Sequence, residues 1–153
     1  MKSRSALPQL PVFEQELRAS ARQAARGFPT EPASVKRARD LTRSTLAAWR
    51  LPAAVDDAVT VVSELMGNAV RHAAGERVEL VLTHGGGLLL VEVRDGGARP
   101  PVPARPTGDD ESGRGLQLVH ALASDWGWLP LRGGGKAVWA LLEAHHAAAG
   151  CGA

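Results

Sequence analysis

A polar stripe interrupts the most regular helical pattern in the chain. Glu64, Asn68 and His72 follow one another at intervals of four residues, so they share one face of a helix predicted over residues 53–73. Asparagine is a poor residue for a helix interior because its side chain competes for backbone hydrogen bonds. An amide oxygen suits Mg²⁺ that also holds waters and phosphate oxygens, and a carboxylate one turn away can accept a proton. The stripe is therefore either a magnesium-dependent site or a solvated polar face.

An acidic residue stands where a predicted strand ends. Asp95 follows the apolar run of residues 88–93 and precedes Gly96 and Gly97. A carboxylate there can accept a hydrogen bond from an exocyclic amine such as that of adenine, and the glycines allow a planar ring to approach the backbone. Aspartate followed by glycine is also ordinary turn chemistry, so this feature alone leaves both interpretations open.

A second glycine cluster begins a predicted helix. The run Gly113-Arg114-Gly115-Leu116 comes directly after residues 96–112, a loop with four prolines and no periodicity. Loops of this length are usually lids, binding loops or disordered segments. The N–H groups at a helix start bind phosphate oxygens, glycine lets the phosphate come close, and an arginine adds positive charge. The alternative is a plain flexible junction.

The spacing of apolar residues predicts an α+β protein, a two-layer sandwich with helices on one face of a mainly antiparallel sheet. The three predicted helices cover residues 34–50, residues 53–73 and a segment that begins at residue 113. The four predicted strands form two hairpins and cover residues 77–82, 88–93, 126–131 and 136–142.

Residues 1–27 differ from the rest of the chain in their mixture of prolines, arginines and small residues. An apolar residue recurs at every fourth position, which predicts a short amphipathic helix around residues 12–25. This segment is either a frayed, disordered extension or a docking segment for a partner or a second copy of the chain. The predicted domain covers residues 28–143, and residues 144–153 form a tail of small residues.

Composition excludes several classes of protein. The 18 basic and 16 acidic residues leave a net charge of +2, which is a weak attractant for nucleic acid. The single cysteine excludes an internal disulfide framework. The sequence has neither a secretory signal nor a run of roughly 18 apolar residues. We therefore expect a cytoplasmic protein with no membrane contact and no direct nucleic-acid partner.

The order of these motifs resembles the GHKL ATP-binding fold, also called the histidine kinase-like ATPase fold. Residues 62–73 (VSELMGNAVRHA) look like the N box of that fold, and Asp95 with its glycines looks like the first glycine box. Residues 113–119 (GRGLQLV) resemble the second glycine box, and residues 135–139 (GKAVW) resemble the closing strand. The residues within these motifs are most similar to those of the compact branch of anti-sigma factor serine kinases, and the resemblance covers residues 28–143.

The resemblance implies a role for each matching residue. Asn68 would hold Mg²⁺ against the triphosphate of ATP, and Glu64 would be the general base. Asp95 would recognise the adenine amine, and Gly97 would shape the base pocket. His72 stands at the usual histidine position of the family and would also lie at the nucleotide. The end of the lid that wraps the phosphates would comprise Gly113, Arg114, Gly115 and Leu116.

The activity that the resemblance implies is ATP-dependent, Mg²⁺-dependent transfer of the γ-phosphoryl group to a serine or threonine of a small regulatory protein. The partner would be a sigma factor or an anti-sigma antagonist, and a homodimer is left open. The alternative is a non-catalytic regulator that binds a protein partner in response to nucleotide. Two departures keep that alternative open, because Arg99 replaces a glycine and Ala137 replaces a threonine found in many relatives.

Overall fold

The structure is a computed structural model that describes residues 21–72, 75–97 and 111–147, with the backbone alone for residues 111–114. Its elements in chain order are β1 (Arg22–Pro29), α1 (Ala33–Ala48), a 3₁₀ turn (Pro52–Ala54), α2 (Val55–His72), β2 (Arg77–Gly85), β3 (Leu88–Asp95), α3 (Glu111–Leu122), β4 (Asp125–Pro130) and β5 (Lys136–Glu143).

The five strands form one sheet in the order β1-β2-β3-β5-β4. Every neighbouring pair is antiparallel, so β3 lies in the middle with β2 and β5 on either side. The β2–β3 hairpin turns at Gly86 and Gly87, whose φ values of 59° and 75° suit a tight turn that matches the strand twist. The predicted α+β class with helices on an antiparallel sheet is confirmed.

The described helices pack on one face of the sheet, which we call the helix face. Side chains alternate along a strand, so every second residue of each strand lies beneath the helices. Helix α2 is the central helix of this layer, and its acidic first turn (Asp56, Asp57) and basic last turn (Arg71, His72) both complement the helix dipole. Its buried residues recur at helical spacing, namely Ala58, Val61, Val62, Leu65, Met66, Asn68 and Ala69.

The opposite side of the sheet, which we call the second face, carries a smaller apolar cluster. Leu90, Trp139 and Leu141 form it, and Ala21 packs against them. These residues alternate with the β3 and β5 residues that lie on the helix face, such as Val91. The sheet is therefore apolar on both sides at its centre.

Strand β1 corrects the predicted helix around residues 12–25. Residues 22–29 form an edge strand that pairs with β2 from Arg22 opposite His84 to Pro29 opposite Arg77. Its sequence RQAARGFP lacks the β-branched residues and clean alternation that favour strand. An edge strand has one neighbour and mostly exposed side chains, so backbone pairing with β2 decides its conformation. Residues 12–20 lie outside the described residues.

Among the helices of the described residues, none combines the length and the apolar character that crossing a membrane requires.

A histidine is buried at the end of the sheet where β2 finishes. His84 is 4% exposed, and its Nε2 lies 2.8 Å from the carbonyl oxygen of Ala144. A carbonyl only accepts, so we assign the proton to Nε2. The ring stacks on Trp49 with centroids 6.2 Å apart and meets His146 edge-on at 5.1 Å. The neutral ring thus fastens the residues after β5 to the core.

Burial lowers the pKa of His84 from its usual 6.5, because the charged imidazolium loses hydration there. The hydrogen bond to Ala144 acts in the opposite direction and is outweighed. Smaller contributions that also lower the pKa come from electrostatic interactions with the basic side chains of His146, Arg22 and His145.

We therefore expect the free energy of unfolding to decrease in acid. A pKa that is lower in the folded state gives stability that is complete above the unfolded value and is lost as pH falls through the folded value. Urea unfolding between pH 8 and pH 5 should show this loss in the wild type. His84→Gln retains an N–H donor for Ala144 but does not titrate, so its loss over the same range should be smaller. An equal loss in both proteins would show that His84 is not responsible.

Candidate functional site

Asn68 occupies the middle of the predicted polar stripe, and its side chain is turned into the protein. It is 8% exposed, and its Oδ1 atom is buried with no hydrogen-bond partner among the described residues. A buried carbonyl oxygen without a donor costs roughly 1–3 kcal/mol. Such an oxygen has lone pairs to offer, so it suits a ligand that accepts them, such as a metal ion or a hydrogen-bond donor.

Glu64, one turn earlier in α2, lies at the contact between α2 and α3. Its side chain is half-buried, and its carboxylate rests against the backbone of Gly115. A Cβ atom at residue 115 would collide with Glu64 Oε2. The glycine is therefore what allows the carboxylate to occupy this position.

The start of α3 differs from the prediction. The helix begins at Glu111, two residues before the predicted start at Gly113. Only the first turn of a helix has N–H groups without partners within the helix, and Gly115 lies beyond that turn. The backbone of Gly115 contacts the Glu64 carboxylate and is not free to bind phosphate. Leu116 is 5% exposed and packs in the core of the helix face. Gly113 and Arg114 lie in the first turn, the part of the helix that can bind an anion.

Asp95 ends the central strand with a buried carboxylate. Its Oδ1 atom accepts a hydrogen bond from the Gly97 N–H at 2.7 Å and an ion-pair contact from Lys136 Nζ at 3.0 Å. The Asp95 side chain is 1% exposed and that of Lys136 is 7% exposed. Asp95 Oδ2 is buried with no partner in the described part of the chain. One oxygen is therefore fully used by the protein, and the other remains for a ligand.

Backbone segments approach one another closely around Asp95, in the region that we call the polar corner of the sheet. Gly135 has a φ of 87°, and a Cβ there would collide with the carbonyl oxygen of Asp95. Gly75, which follows α2, lies beside Gly96, since a Cβ on it would be 3.8 Å from the Cα of Gly96. The end of α2, the end of β3 and the start of β5 consequently meet at one edge of the sheet.

The sequence did not single out Lys136 as a site residue. A signal was present, because Lys136 is the one charged residue in the alternating series 136, 138, 140 and 142 that forms the helix-face side of β5. Ala137 lies on the second face by the same alternation. A hydroxyl at position 137 would thus lie on the opposite side of the sheet from Asp95, and Arg99 lies outside the described residues.

The structure brings the predicted residues together in two groups. Glu64 contacts Gly115 in the helix layer, and Asp95 bonds Gly97 at the edge of the sheet. Asn68 is buried on α2 between Glu64 and the helix end, whereas His72, the last residue of α2, is exposed. The sequence predicted Glu64, Asn68 and Asp95 as polar positions but not the contacts that each one makes.

A cleft at the end of β3 borders Asp95 but does not include the polar residues of α2. Neither Glu64 nor Asn68 borders it, and its lining residues are Gly27, Arg77, Val78, Glu79, Arg94, Asp95 and Leu131. Glu79 and Arg94 are paired residues that belong to the second face. Arg94 also contacts Glu92 and Glu79, at 3.2 Å and 3.7 Å. Asp95 and Val78 belong to the helix face, so the cleft reaches Asp95 and is otherwise lined largely by residues of the second face.

The donor set bears on which metal could bind. Within the described residues, no three His, Cys, Asp or Glu side chains cluster as a metal cage. Mg²⁺ does not need one, because it keeps several waters and takes other oxygens from phosphates. The single unsatisfied amide oxygen of Asn68 fits Mg²⁺ that arrives with a polyphosphate.

The chain is similar to known proteins in its family and in its fold. The family described as the histidine kinase-like ATPase domain matches residues 28–141. The crystal structure of the RsbU and RsbW domains of Rv1364c from Mycobacterium tuberculosis matches with a TM-score of 0.59 and 21% identity. The match covers 80% of this chain and 32% of that one, so this chain spans about a third of its length. A comparison with curated protein sequences gives no significant match.

These findings confirm the fold family that the motifs predict. The family match spans more than half of the chain, and the structural match at low identity is evidence for the same fold.

Removal of one partner of the buried ion pair should have a measurable cost in stability, because it leaves the other charge buried and unpaired. Asp95→Asn keeps the shape of the side chain but leaves the Lys136 ammonium without its carboxylate, and we expect a loss of about 3 kcal/mol. The matched control is Asp40→Asn, since Asp40 forms a pair with Lys36 whose side chains are 54% and 75% exposed. That change should cost less than about 1 kcal/mol. Similar losses in urea unfolding of the two variants would contradict the assignment.

Proposed function

The chain belongs to the histidine kinase-like ATPase domain family, and we propose that it is an ATP-binding, Mg²⁺-dependent protein kinase. It transfers the γ-phosphoryl group of ATP to a serine or threonine of a small regulatory protein. The observation that carries this proposal is the buried, unsatisfied Oδ1 of Asn68, one helical turn from the Glu64 carboxylate. Proteins of this family bind a nucleotide triphosphate together with a metal ion. The Asn68 amide oxygen would hold that metal ion.

Two ends of the nucleotide would bind to different elements. The base would lie at the edge of the sheet, where Asp95 Oδ2 has no partner in the described part of the chain. That oxygen would accept a hydrogen bond from the adenine amine. Gly97, whose N–H is bonded to Asp95, leaves room beside the carboxylate. The phosphates would lie between α2 and the first turn of α3, where Gly113 and Arg114 begin the helix.

The metal would be held by Asn68, with His72 at the exposed end of the same stripe. When bound, Mg²⁺ neutralises charge on the triphosphate oxygens and so favours displacement at the γ-phosphorus. The remaining ligands would come from waters and phosphate oxygens, as Mg²⁺ prefers.

Glu64 would serve as the general base. The acceptor hydroxyl loses its proton to the Glu64 carboxylate, its oxygen forms a bond to the γ-phosphorus, and the bond from that phosphorus to the bridging oxygen breaks. ADP leaves with the bonding electron pair. Gly115 supports the step by leaving the carboxylate room at the boundary between the two helices.

The acceptor is a protein in this proposal because the sequence resembles the compact anti-sigma kinase branch. The partner is then a small anti-sigma antagonist that carries the serine or threonine, and a sigma factor is the second protein that the same surface binds. We expect the protein to act in the cytoplasm, where ATP and such partners occur together.

Asn68→Ala should separate metal binding from folding. Removal of a buried oxygen that has no partner among the described residues should not lower the free energy of unfolding, because that oxygen is itself a cost to the unliganded protein. Calorimetric titration with ATP in the presence of Mg²⁺ should show binding that is weaker by about tenfold or more, a loss of about 1.4 kcal/mol or more. The affinity measured without Mg²⁺ should match that of the wild type. Unaltered affinity with Mg²⁺ would remove Asn68 from the metal site.

Glu64→Gln should separate chemistry from binding. The amide has the shape of the carboxylate but cannot take a proton, so we expect ATP affinity to be retained and phosphoryl transfer to fall by about 100-fold or more. The assay follows labelled γ-phosphate to an antagonist protein and, in parallel, its release to water. Glu79→Gln is the control, because Glu79 lies on the second face.

Two results of that assay would change the conclusion. Full transfer by Glu64→Gln would mean that another group takes the proton. ATP binding by the wild type with neither transfer nor hydrolysis would favour the non-catalytic, nucleotide-responsive regulator. Wild-type protein that binds no ATP would overturn the proposed function altogether.

A further inference from the structure

Lys136 places a charged ammonium where a strand core residue would be expected. Its side chain is 7% exposed, it opens β5, and it stands directly opposite Asp95 in the β3–β5 register. Burial of two charges costs several kcal/mol for each ion, and attraction between them seldom yields a net gain over apolar residues of the same volume. The pair is therefore a weak source of stability. Recognition of a ligand is the other role that two buried charges can have.

The pair presents two different groups side by side. Asp95 Oδ2 is an acceptor without a partner in the described residues, whereas Oδ1 is already bonded to Gly97 and Lys136. An ammonium has three donors, and Asp95 takes one of them. The edge of the sheet thus offers one acceptor and, next to it, further donors.

Purine bases differ in the pattern that they offer in return. Adenine carries a donor, the N6 amine, beside an acceptor, the ring nitrogen N1. Guanine and hypoxanthine carry the reverse, an acceptor at O6 beside a donor at N1. An acceptor next to a donor on the protein matches the first pattern and opposes the second.

We propose that Lys136 is a base-specificity residue, which donates a hydrogen bond to N1 of adenine while Asp95 accepts one from N6. This inference rests on the proposed function, since it requires that ATP binds with its base at Asp95. It adds a second contact to the base, and it explains why Lys136 is kept on the helix face of β5 although that position costs desolvation.

Discrimination follows from the same contacts. A base that brings a ring N–H to Lys136 and a carbonyl oxygen to Asp95 cannot bond to Asp95 Oδ2 or to the remaining donors of Lys136, although the two residues stay paired with each other. Sites that bond a ligand through buried polar groups reject analogues that cannot complete those bonds. A change at Lys136 should therefore alter which base is preferred, as well as how tightly ATP binds.

The test pairs single-atom changes in the ligand with a change in the protein. ATP, 1-deaza-ATP, 7-deaza-ATP and GTP are titrated into the wild type, Lys136→Met and Lys36→Met. The 1-deaza analogue lacks N1, and the 7-deaza analogue lacks a nitrogen on another edge of the base. Lys36→Met is the matched control, because Lys36 pairs with Asp40 on the exposed surface of α1.

We expect the wild type to bind 1-deaza-ATP about tenfold more weakly than ATP, the value of one hydrogen bond to a charged group. It should bind 7-deaza-ATP as tightly as ATP. In Lys136→Met, ATP and 1-deaza-ATP should bind equally, and the preference for ATP over GTP should decrease by about tenfold. Lys36→Met should behave as the wild type does in every titration.

The outcomes separate the two proposals. Wild type that binds ATP and 1-deaza-ATP equally would overturn the role of Lys136 and leave ATP binding intact, and so would Lys136→Met that retains the tenfold difference. This wild-type comparison decides the matter even where Lys136→Met does not fold. Wild type that binds no ATP would overturn the proposed function, and this inference with it.

Discussion

The site depends on one interaction, the buried ion pair between the Asp95 carboxylate and Lys136. Asp95 ends the central strand, and its Oδ1 atom is satisfied only when Gly97 and Lys136 both reach it. A shift of one residue between β3 and β5 would turn Lys136 to the second face, because side chains alternate along a strand. The carboxylate would then be buried without a cation. The ion pair therefore favours one strand register, and the same register fixes the polar corner of the sheet.

Some buried polar atoms of the site have hydrogen-bond partners within the protein, and others have none among the described residues. The protein uses Oδ1 of Asp95 but leaves Oδ2 and the Asn68 oxygen without partners among the described residues. Unmet hydrogen bonds are costly in a packed interior, and the proposed nucleotide would complete these two. The two atoms belong to different layers, one on the sheet and one on α2. A ligand that meets both must extend from the sheet edge to the helix layer, as a nucleotide with its phosphates can.

Prediction from sequence succeeded where a pattern is local and repeated. Helix α2 and its polar stripe follow from apolar residues at intervals of three and four, and the β2–β3 hairpin follows from two apolar runs around glycines. Strand β1 was missed because its residues favour no strand and its pairing with β2 alone holds it. The start of α3 was misplaced by two residues, since glycines in the first turns conceal the boundary.

The sequence by itself determined the fold class and the identities of Glu64, Asn68 and Asp95, because helical spacing and strand ends are written in neighbouring residues. Tertiary structure decided what those side chains touch. Lys136 lies 41 residues from Asp95, and they meet only because the central strands pair in one register. Glu64 meets the backbone of Gly115 only because α2 and α3 pack together. Contacts between distant segments depend on packing in three dimensions, which no local pattern encodes.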